Sequence, residues 1–167
     1  MRFHRLVALA AFAGAAAGSI HGANAQGLVT THRVSASLAN EAVGAAVAAC
    51  AAKGYAVSAA LVDSDGVRIA GLRGDRAGIH TIGAAEDKAY SAVSLKSDTS
   101  AVEARFKGNP APSVLVKTPR LVLSAGGIVL KIGDEVIGGI GVSGAPGGEK
   151  DEACGHAGFD AIKDRLK

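Results

Sequence analysis

The sequence predicts a mixed α/β (α+β) domain in which helices pack on an antiparallel sheet of five strands. Two groups of short apolar runs, residues 55–73 and 120–144, are interrupted only by turn signals such as "SDG" and "KIGDEV", which are typical of hairpins. Segments with helical spacing precede, separate and follow these two groups. Because hairpins rather than crossover helices join the strands within each group, we expect an antiparallel sheet.

The individual elements follow from periodicity and from capping signals. The first helix is predicted over residues 37–54, with Ser37 as its N-cap. A second helix runs from about Thr81 to Leu95, and a short third helix starts near residue 97 and stops at the prolines of "NPAP". The last helix is predicted over residues 147–167. The five predicted strands are 55–63, 67–73, 120–127, 128–135 and 136–144.

The amino terminus has the pattern of a secretory signal peptide over residues 1–25. A basic start, "MRFHR", precedes an apolar run, and Ala23-Asn24-Ala25 is a typical cleavage site. The apolar run is too short to span a bilayer, although an uncleaved anchor is the alternative. We therefore expect a periplasmic or secreted protein without an integral membrane segment after processing. Residues 26–36 would form a flexible arm and 37–167 a single domain.

Charge and composition exclude several classes of protein. Removal of Arg2 and Arg5 with the signal lowers the Lys+Arg count from 18 to 16, against 15 acidic residues, and no basic cluster with interleaved aromatics remains. Nucleic acid is therefore not an expected partner. Cys50 and Cys154 form neither a CxxC nor a CxxCH motif, which excludes covalent c-type haem attachment. Met1 is the only methionine, so His/Met ligation of a haem is excluded as well.

Glycines are concentrated in the segment 136–158. Gly138, Gly139 and Gly141 interrupt a predicted strand, where β-branched residues would be more stable. Either a helix lies directly on this strand, or a ligand approaches its backbone closely. In the first case we expect Gly155 and Gly158 of the last helix to be the counterpart.

Three sequence blocks cover nearly all of residues 38–166: "ACAAKGYAVSAALVDSDG", "LRGDRAGIHTIGAAEDKAYSA" and "GDEVIGGIGVSGAPGGEKDEACGHAG". They resemble the signatures of the GlcG/HbpS haem-binding family, which is related to the PduO C-terminal domain. The usual Arg-x-Asp-Gly order of the middle block appears here as Arg73-Gly74-Asp75-Arg76. The resemblance implies a profilin-like five-stranded sheet flanked by helices and a homo-oligomer, often an octamer. In some members it also implies haem binding for sequestration or sensing, so haem is the expected small-molecule ligand.

His80 is the residue that the sequence favours as a ligand to the haem iron. Two of the five histidines lie in the signal segment and His32 lies in the arm, which leaves His80 and His156 in the body of the protein. His80 follows a glycine loop and precedes a helix, so its ring can reach a groove; a surface residue that starts the helix is the alternative. We expect His156 to form an i,i+4 pair with Glu152 instead.

The other residues assigned to the cofactor site are Lys88, Tyr90, Gly139 and Gly141. The helix motif of the family matches Lys88-Ala89, which implies a structural or ligand-orienting role for Lys88. Tyr90 lies in the middle of the same helix, where packing is the alternative. No metal-ligand spacing stands out in the sequence.

An enzyme is the alternative function. Asp75, Glu86, Asp87 and Lys88 form a polar group close to His80. Together with the catabolic setting implied for some relatives, this group favours a hydrolase, lyase or isomerase that acts on small oxo- or hydroxy-acids. We assign no catalytic residue.

A disulfide between Cys50 and Cys154 is the last expectation. Export would place both thiols in an oxidising compartment, and no other intramolecular pairing exists. In the fold that the resemblance implies, the first and last helices lie side by side on the same face of the sheet. The alternative is that both cysteines are buried and never meet.

Overall fold

The computed structural model describes residues 27–110 and 112–166. The signal peptide expected at residues 1–25 lies outside these ranges. The described residues from Thr31 onward form one compact unit. Within the described ranges, no helix combines the length and the apolar character that a membrane crossing requires.

Five α-helices and four strands make up the regular structure of the described residues. The helices are α1 (Ala36–Ala51), α2 (Thr81–Leu95), α3 (Thr99–Arg105), α4 (Ser113–Lys117) and α5 (Gly148–Asp160). The strands are β1 (Ser58–Asp63), β2 (Arg68–Arg73), β3 (Gly127–Ile132) and β4 (Glu135–Ser143). A short 3-10 turn, Lys163–Arg165, follows α5. The last helix therefore ends earlier than the predicted residue 167.

The strands form one antiparallel sheet in the order β2-β1-β4-β3. The fold class is as predicted, but the described sheet has four strands and not five, because residues 121–126 are irregular. Two backbone amides of this segment donate to side chains of other elements. The amide of Val122 donates to Oγ of Ser91 at 2.7 Å, and the amide of Ala125 donates to Oε2 of Glu103 at 2.8 Å.

Helices cover both faces of the sheet. Helices α1 and α5 lie side by side on one face and enclose the larger core. Helix α2 covers the opposite face, where Ala89 and Val93 pack on Val62. Successive residues of β4 point to opposite faces, so Ile140 contributes to the α1/α5 core while Gly139 and Gly141 face α2.

The glycines of β4 allow helix α2 to lie directly on the sheet. A Cβ atom at Gly139 would lie 2.8 Å from the carbonyl oxygen of Ala89, and one at Gly141 would overlap the carbonyl oxygen of Ala85. The prediction that a helix lies on this strand is therefore confirmed. The prediction that this helix would be the last one was wrong, because the glycines face α2 and not α5. Because strand residues alternate between faces, the glycines of α5 meet other atoms.

Both glycines of α5 allow close packing on the opposite face of the sheet, where α5 lies beside α1. A Cβ at Gly155 would lie 2.5 Å from Cδ1 of Ile128, and one at Gly158 would lie 2.6 Å from the carbonyl oxygen of Ala42 in α1. The small residues thus bring α5 close to both the sheet and α1.

Helix α1 begins one residue before the predicted start, and its cap is Ser35 rather than Ser37. Oγ of Ser35 accepts a hydrogen bond from the amide of Leu38 at 3.3 Å. The residues just before this cap, which belong to the segment 26–36, also contact the sheet. Val34 is buried, and Arg33 Nη1 donates to Asp63 Oδ2 at 2.9 Å.

Candidate functional site

His80 lies at the start of α2 with its imidazole exposed to solvent. It occupies the N-cap position and makes no capping hydrogen bond. Its ring lies against Gly78, where a Cβ atom would approach Cε1 of His80 to 2.8 Å. The neighbouring Ile79 is 85% exposed. The chain therefore presents an imidazole next to an apolar side chain on an open surface.

The loop that carries His80 is anchored to β1. The Thr81 hydroxyl donates to the carbonyl of Gly78 at 2.7 Å and lies 2.7 Å from Oγ of Ser58, in a buried position. The amide of Gly74 donates to the carbonyl of Val57 at 2.9 Å. These bonds fix both ends of the loop, so the position of His80 is set by the sheet below it.

Lys88 is buried and paired with an acidic residue of α5. Its Nζ atom lies 2.8 Å from Oδ2 of Asp151, and both side chains are less than one-tenth exposed. Oδ1 of Asp151 accepts a hydrogen bond from the amide of Ala145 at 2.9 Å. A Cβ at Gly126 would lie 2.8 Å from Nζ of Lys88, so a glycine leaves room for the lysine at the start of β3. The pair ties α2 to α5 past this end of the sheet.

Tyr90 points away from Lys88, since two residues correspond to about 200° around a helix. Its ring covers the turn between β1 and β2, where a Cβ at Gly66 would lie 2.7 Å from Cδ2 of the ring. The guanidinium group of Arg120 lies 4.3 Å from the ring centroid, in a cation–π contact. Packing therefore accounts for this tyrosine.

Three of the four residues in the polar group proposed for an enzyme are held in ion pairs, whereas Asp75 is exposed on the loop before His80. Glu86 pairs with Arg68 at 2.9 Å and with Arg120 at 3.0 Å, and Asp87 pairs with Arg120 at 3.0 Å. Lys88 is held by Asp151. These side chains stabilise the position of α2 and do not converge on a shared cavity with His80.

The five predicted cofactor residues do not form one pocket. The space above Gly139 and Gly141 is filled by the backbone of α2, so a cofactor has no access to these glycines within the chain. Lys88 and Tyr90 are engaged on different sides of the helix. Of the five, His80 presents its ligand atoms to solvent.

The predicted i,i+4 pair on α5 is confirmed. His156 Nε2 lies 3.8 Å from Glu152 Oε1, and the histidine side chain is about half exposed. Asp98, which stands just before α3, is close to both residues. Sequence reasoning missed this third member because 54 residues separate Asp98 from Glu152 in the chain.

The disulfide between Cys50 and Cys154 is confirmed. The two Cα atoms are 5.5 Å apart, and both residues are fully buried between α1 and α5. This distance lies within the ordinary range for a disulfide. The bond covalently links the two helices of one layer, as expected from their position side by side.

Comparisons with known proteins agree with this architecture. Residues 34–160 match the family model described as haem degrading protein HbpS-like. The crystal structure of HbpS is 34% identical, with a TM-score of 0.76, and the match covers 84% of this chain and 97% of that one. A double mutant of Streptomyces reticuli HbpS is 32% identical, with a TM-score of 0.75 and coverage of 93% and 99%.

A more distant likeness concerns the fold alone. The structure titled PduOC:heme complex is 24% identical, with a TM-score of 0.70, and the match covers 78% of this chain and 95% of that one. No curated protein is significantly similar to the chain. The family model spans His80, the Lys88–Asp151 pair and both cysteines. On these grounds the chain belongs to the HbpS-like family.

Proposed function

We propose that this protein binds haem or a related tetrapyrrole, with His80 as an axial ligand to the iron. The observation that carries the proposal is the exposed imidazole of His80 next to the exposed Ile79, on a loop that the sheet holds in place. Imidazole is a common protein ligand for haem iron. The description of the family and the heme complex of the PduOC relative support the same ligand class.

The residues around His80 fit one face of a porphyrin. A flat apolar ring would cover Ile79 and remove its side chain from water, which is favourable by about 25 cal/mol per Å² of apolar surface. Arg76 lies in the same loop and is exposed, so it offers a cation for a propionate group. Bound haem supplies the iron that His80 would coordinate, and the chain supplies the ligand, the apolar contact and the charge.

A second copy of the chain would complete this site. A haem on an open surface has one face covered by His80 and Ile79, so its other face needs a partner to exclude water. Exposed apolar side chains elsewhere, such as Val114 at 68% and Val116 at 63%, also favour assembly. We infer that the protein forms a homo-oligomer, and we propose an octamer as its size. A monomer mass by light scattering at micromolar concentration would contradict this inference.

We also infer export to the periplasm or to the medium. The disulfide between Cys50 and Cys154 supports this location, because disulfides persist in oxidising compartments and are rare in the cytosol. In such a compartment, reversible haem binding serves sequestration or sensing.

Haemin titration followed by the Soret band tests the proposal. We expect the His80→Ala variant to shift the Soret maximum and to weaken haem binding by at least about tenfold, because the iron loses a direct ligand. His32→Ala is the matched control, since His32 is exposed but bonds to Glu135 away from the loop. An unchanged spectrum in His80→Ala, with loss in a Tyr90 or His156 variant, would overturn the assignment.

A further inference from the structure

We propose that Asp98, Glu152 and His156 form a binding site for a divalent transition-metal ion, for which Zn²⁺ is the probe. One ligand atom from each residue lies within 4.8 Å of the other two. The site uses α5 and the residue just before α3, and it includes none of the residues assigned to haem. It is therefore independent of the proposed haem site.

Glu152 carries the strongest indication of a cation. Its Oε1 atom accepts a hydrogen bond from Oγ of Ser100 at 2.7 Å and lies 3.8 Å from His156 Nε2. Its Oε2 atom is buried and finds no hydrogen-bond donor among the described residues. A buried carboxylate oxygen without a partner is costly, and a metal ion would supply the missing positive charge.

The other two ligands are already oriented toward the same place. Oδ1 of Asp98 accepts a hydrogen bond from the amide of Val129 at 2.9 Å, which fixes the carboxylate and leaves its second oxygen for a metal. His156 is about half exposed, so an ion can reach the site from solvent. The bonds from Ser100 and Val129 are the kind of outer contacts that orient metal ligands in proteins.

The donor set selects the class of metal. One imidazole nitrogen and two carboxylate oxygens suit Zn²⁺ and related divalent ions, whereas thiolate donors would be needed for softer ions. Metal–ligand bonds of about 2.0–2.2 Å place the ligand atoms roughly 3.4 Å apart in a tetrahedron. Modest side-chain rotations would bring the three ligand atoms to this separation. Three protein ligands leave a fourth position for water.

Isothermal titration of the untagged, chelator-treated protein with Zn²⁺ tests the proposal. We expect one Zn²⁺ per chain, and binding at least about tenfold weaker in His156→Ala and in Glu152→Gln. His32→Ala is the matched control, because His32 is also an exposed histidine beside a glutamate but has no third ligand assigned to it. We expect this control to bind Zn²⁺ as the parent protein does.

A second measurement keeps folding separate from binding. His156 is exposed, so His156→Ala should fold normally, and Zn²⁺ should raise the Tm of the parent protein but not that of the variant. The haemin spectrum of His156→Ala should match that of the parent protein. Equal Zn²⁺ affinity in the parent and His156→Ala, absence of binding in the parent, or an equal loss in His32→Ala would overturn the proposal.

Discussion

Nζ of Lys88 lies 2.8 Å from Oδ2 of Asp151, and this buried ion pair joins helices on opposite faces of the sheet. Helix α5 thus has two cross-links, since Cys154 bonds it to α1 on its own face. The same helix carries Glu152 and His156 of the proposed metal site. The position of the proposed metal site therefore depends on the ion pair and the disulfide that fix α5 to its neighbours.

Loss of Lys88 should destabilise the protein strongly. Lys88→Met leaves the carboxylate of Asp151 buried without its cation, which costs about 3–5 kcal/mol in the free energy of unfolding. Urea denaturation of the oxidised protein measures this cost.

The double variant Lys88→Met/Asp151→Asn is the control. Its asparagine carries no charge, yet its side-chain oxygen can still accept the amide hydrogen bond of Ala145. We expect it to be at least about 1 kcal/mol more stable than Lys88→Met alone. Equal stability of the two variants would mean that the uncompensated charge is not the cause.

Glycine in β4 should be required for the docking of α2. Gly139→Ala places a Cβ 2.8 Å from the carbonyl oxygen of Ala89, so the helix must shift, at a cost of about 1–3 kcal/mol. Gly83→Ala is the matched control within α2, because no atom lies within 4 Å of its added Cβ. It should stabilise the protein by about 0.5–1 kcal/mol, as alanine favours helix. Thermal unfolding of both variants distinguishes these opposite signs.

Reduction of the disulfide should lower stability by about 4–5 kcal/mol in the chain-entropy model. Cys50 and Cys154 are 104 residues apart, so the bond closes most of the domain into one loop. Denaturant unfolding with and without a reducing agent measures the difference. The double variant Cys50→Ala/Cys154→Ala should be insensitive to the reducing agent. Thiol titration of the unfolded, unreduced protein should find no free thiol, and two free thiols per chain would contradict the pairing.

Acid should release the residues before α1 from the sheet. The backbone N–H of His32 donates to Oε1 of Glu135 at 2.8 Å, and this bond is the main reason that the pKa of Glu135 lies below its ordinary value of 4.5. A carboxyl group with a lowered pKa stabilises the folded contact above its ordinary value, and the stabilisation is lost as pH falls through the lowered pKa. The protection factor of the His32 amide, which compares its exchange rate by NMR with the intrinsic rate at the same pH, should therefore decrease as the pH falls below 4.5.

Two variants separate this effect from general acid sensitivity. Glu135→Gln keeps an oxygen acceptor but cannot titrate, so the change in the His32 protection factor over this pH range should disappear. Asp160→Asn removes a different carboxyl group with a lowered pKa, which pairs with Lys163 on the last turns of the chain. It should leave the change at His32 intact, and an unaltered profile in Glu135→Gln would refute the assignment.

Local sequence signals were sufficient for several features of the fold. The bounds of α2, Thr81–Leu95, were predicted as the structure has them, since a glycine loop precedes this helix and its apolar spacing is regular. The strand at residues 120–127 was wrong because its apolar pattern also suits an irregular segment. Contacts with Ser91 and Glu103, which are distant in sequence, decided that conformation.

The sequence by itself determined the α+β class, the antiparallel hairpins and the position of His80 between a glycine loop and a helix, because each depends on neighbouring residues. Only the tertiary structure decided which helix lies on Gly139 and Gly141, that Lys88 meets Asp151, and that Asp98 joins Glu152 and His156. These contacts depend on which face of the sheet each strand residue points to, because successive strand residues alternate between the two faces. They also depend on the strand register, which sets the residues that lie opposite each other in neighbouring strands. The contacts of Lys88 with Asp151 and of Asp98 with Glu152 join residues more than fifty positions apart, so no local pattern in the chain specifies them.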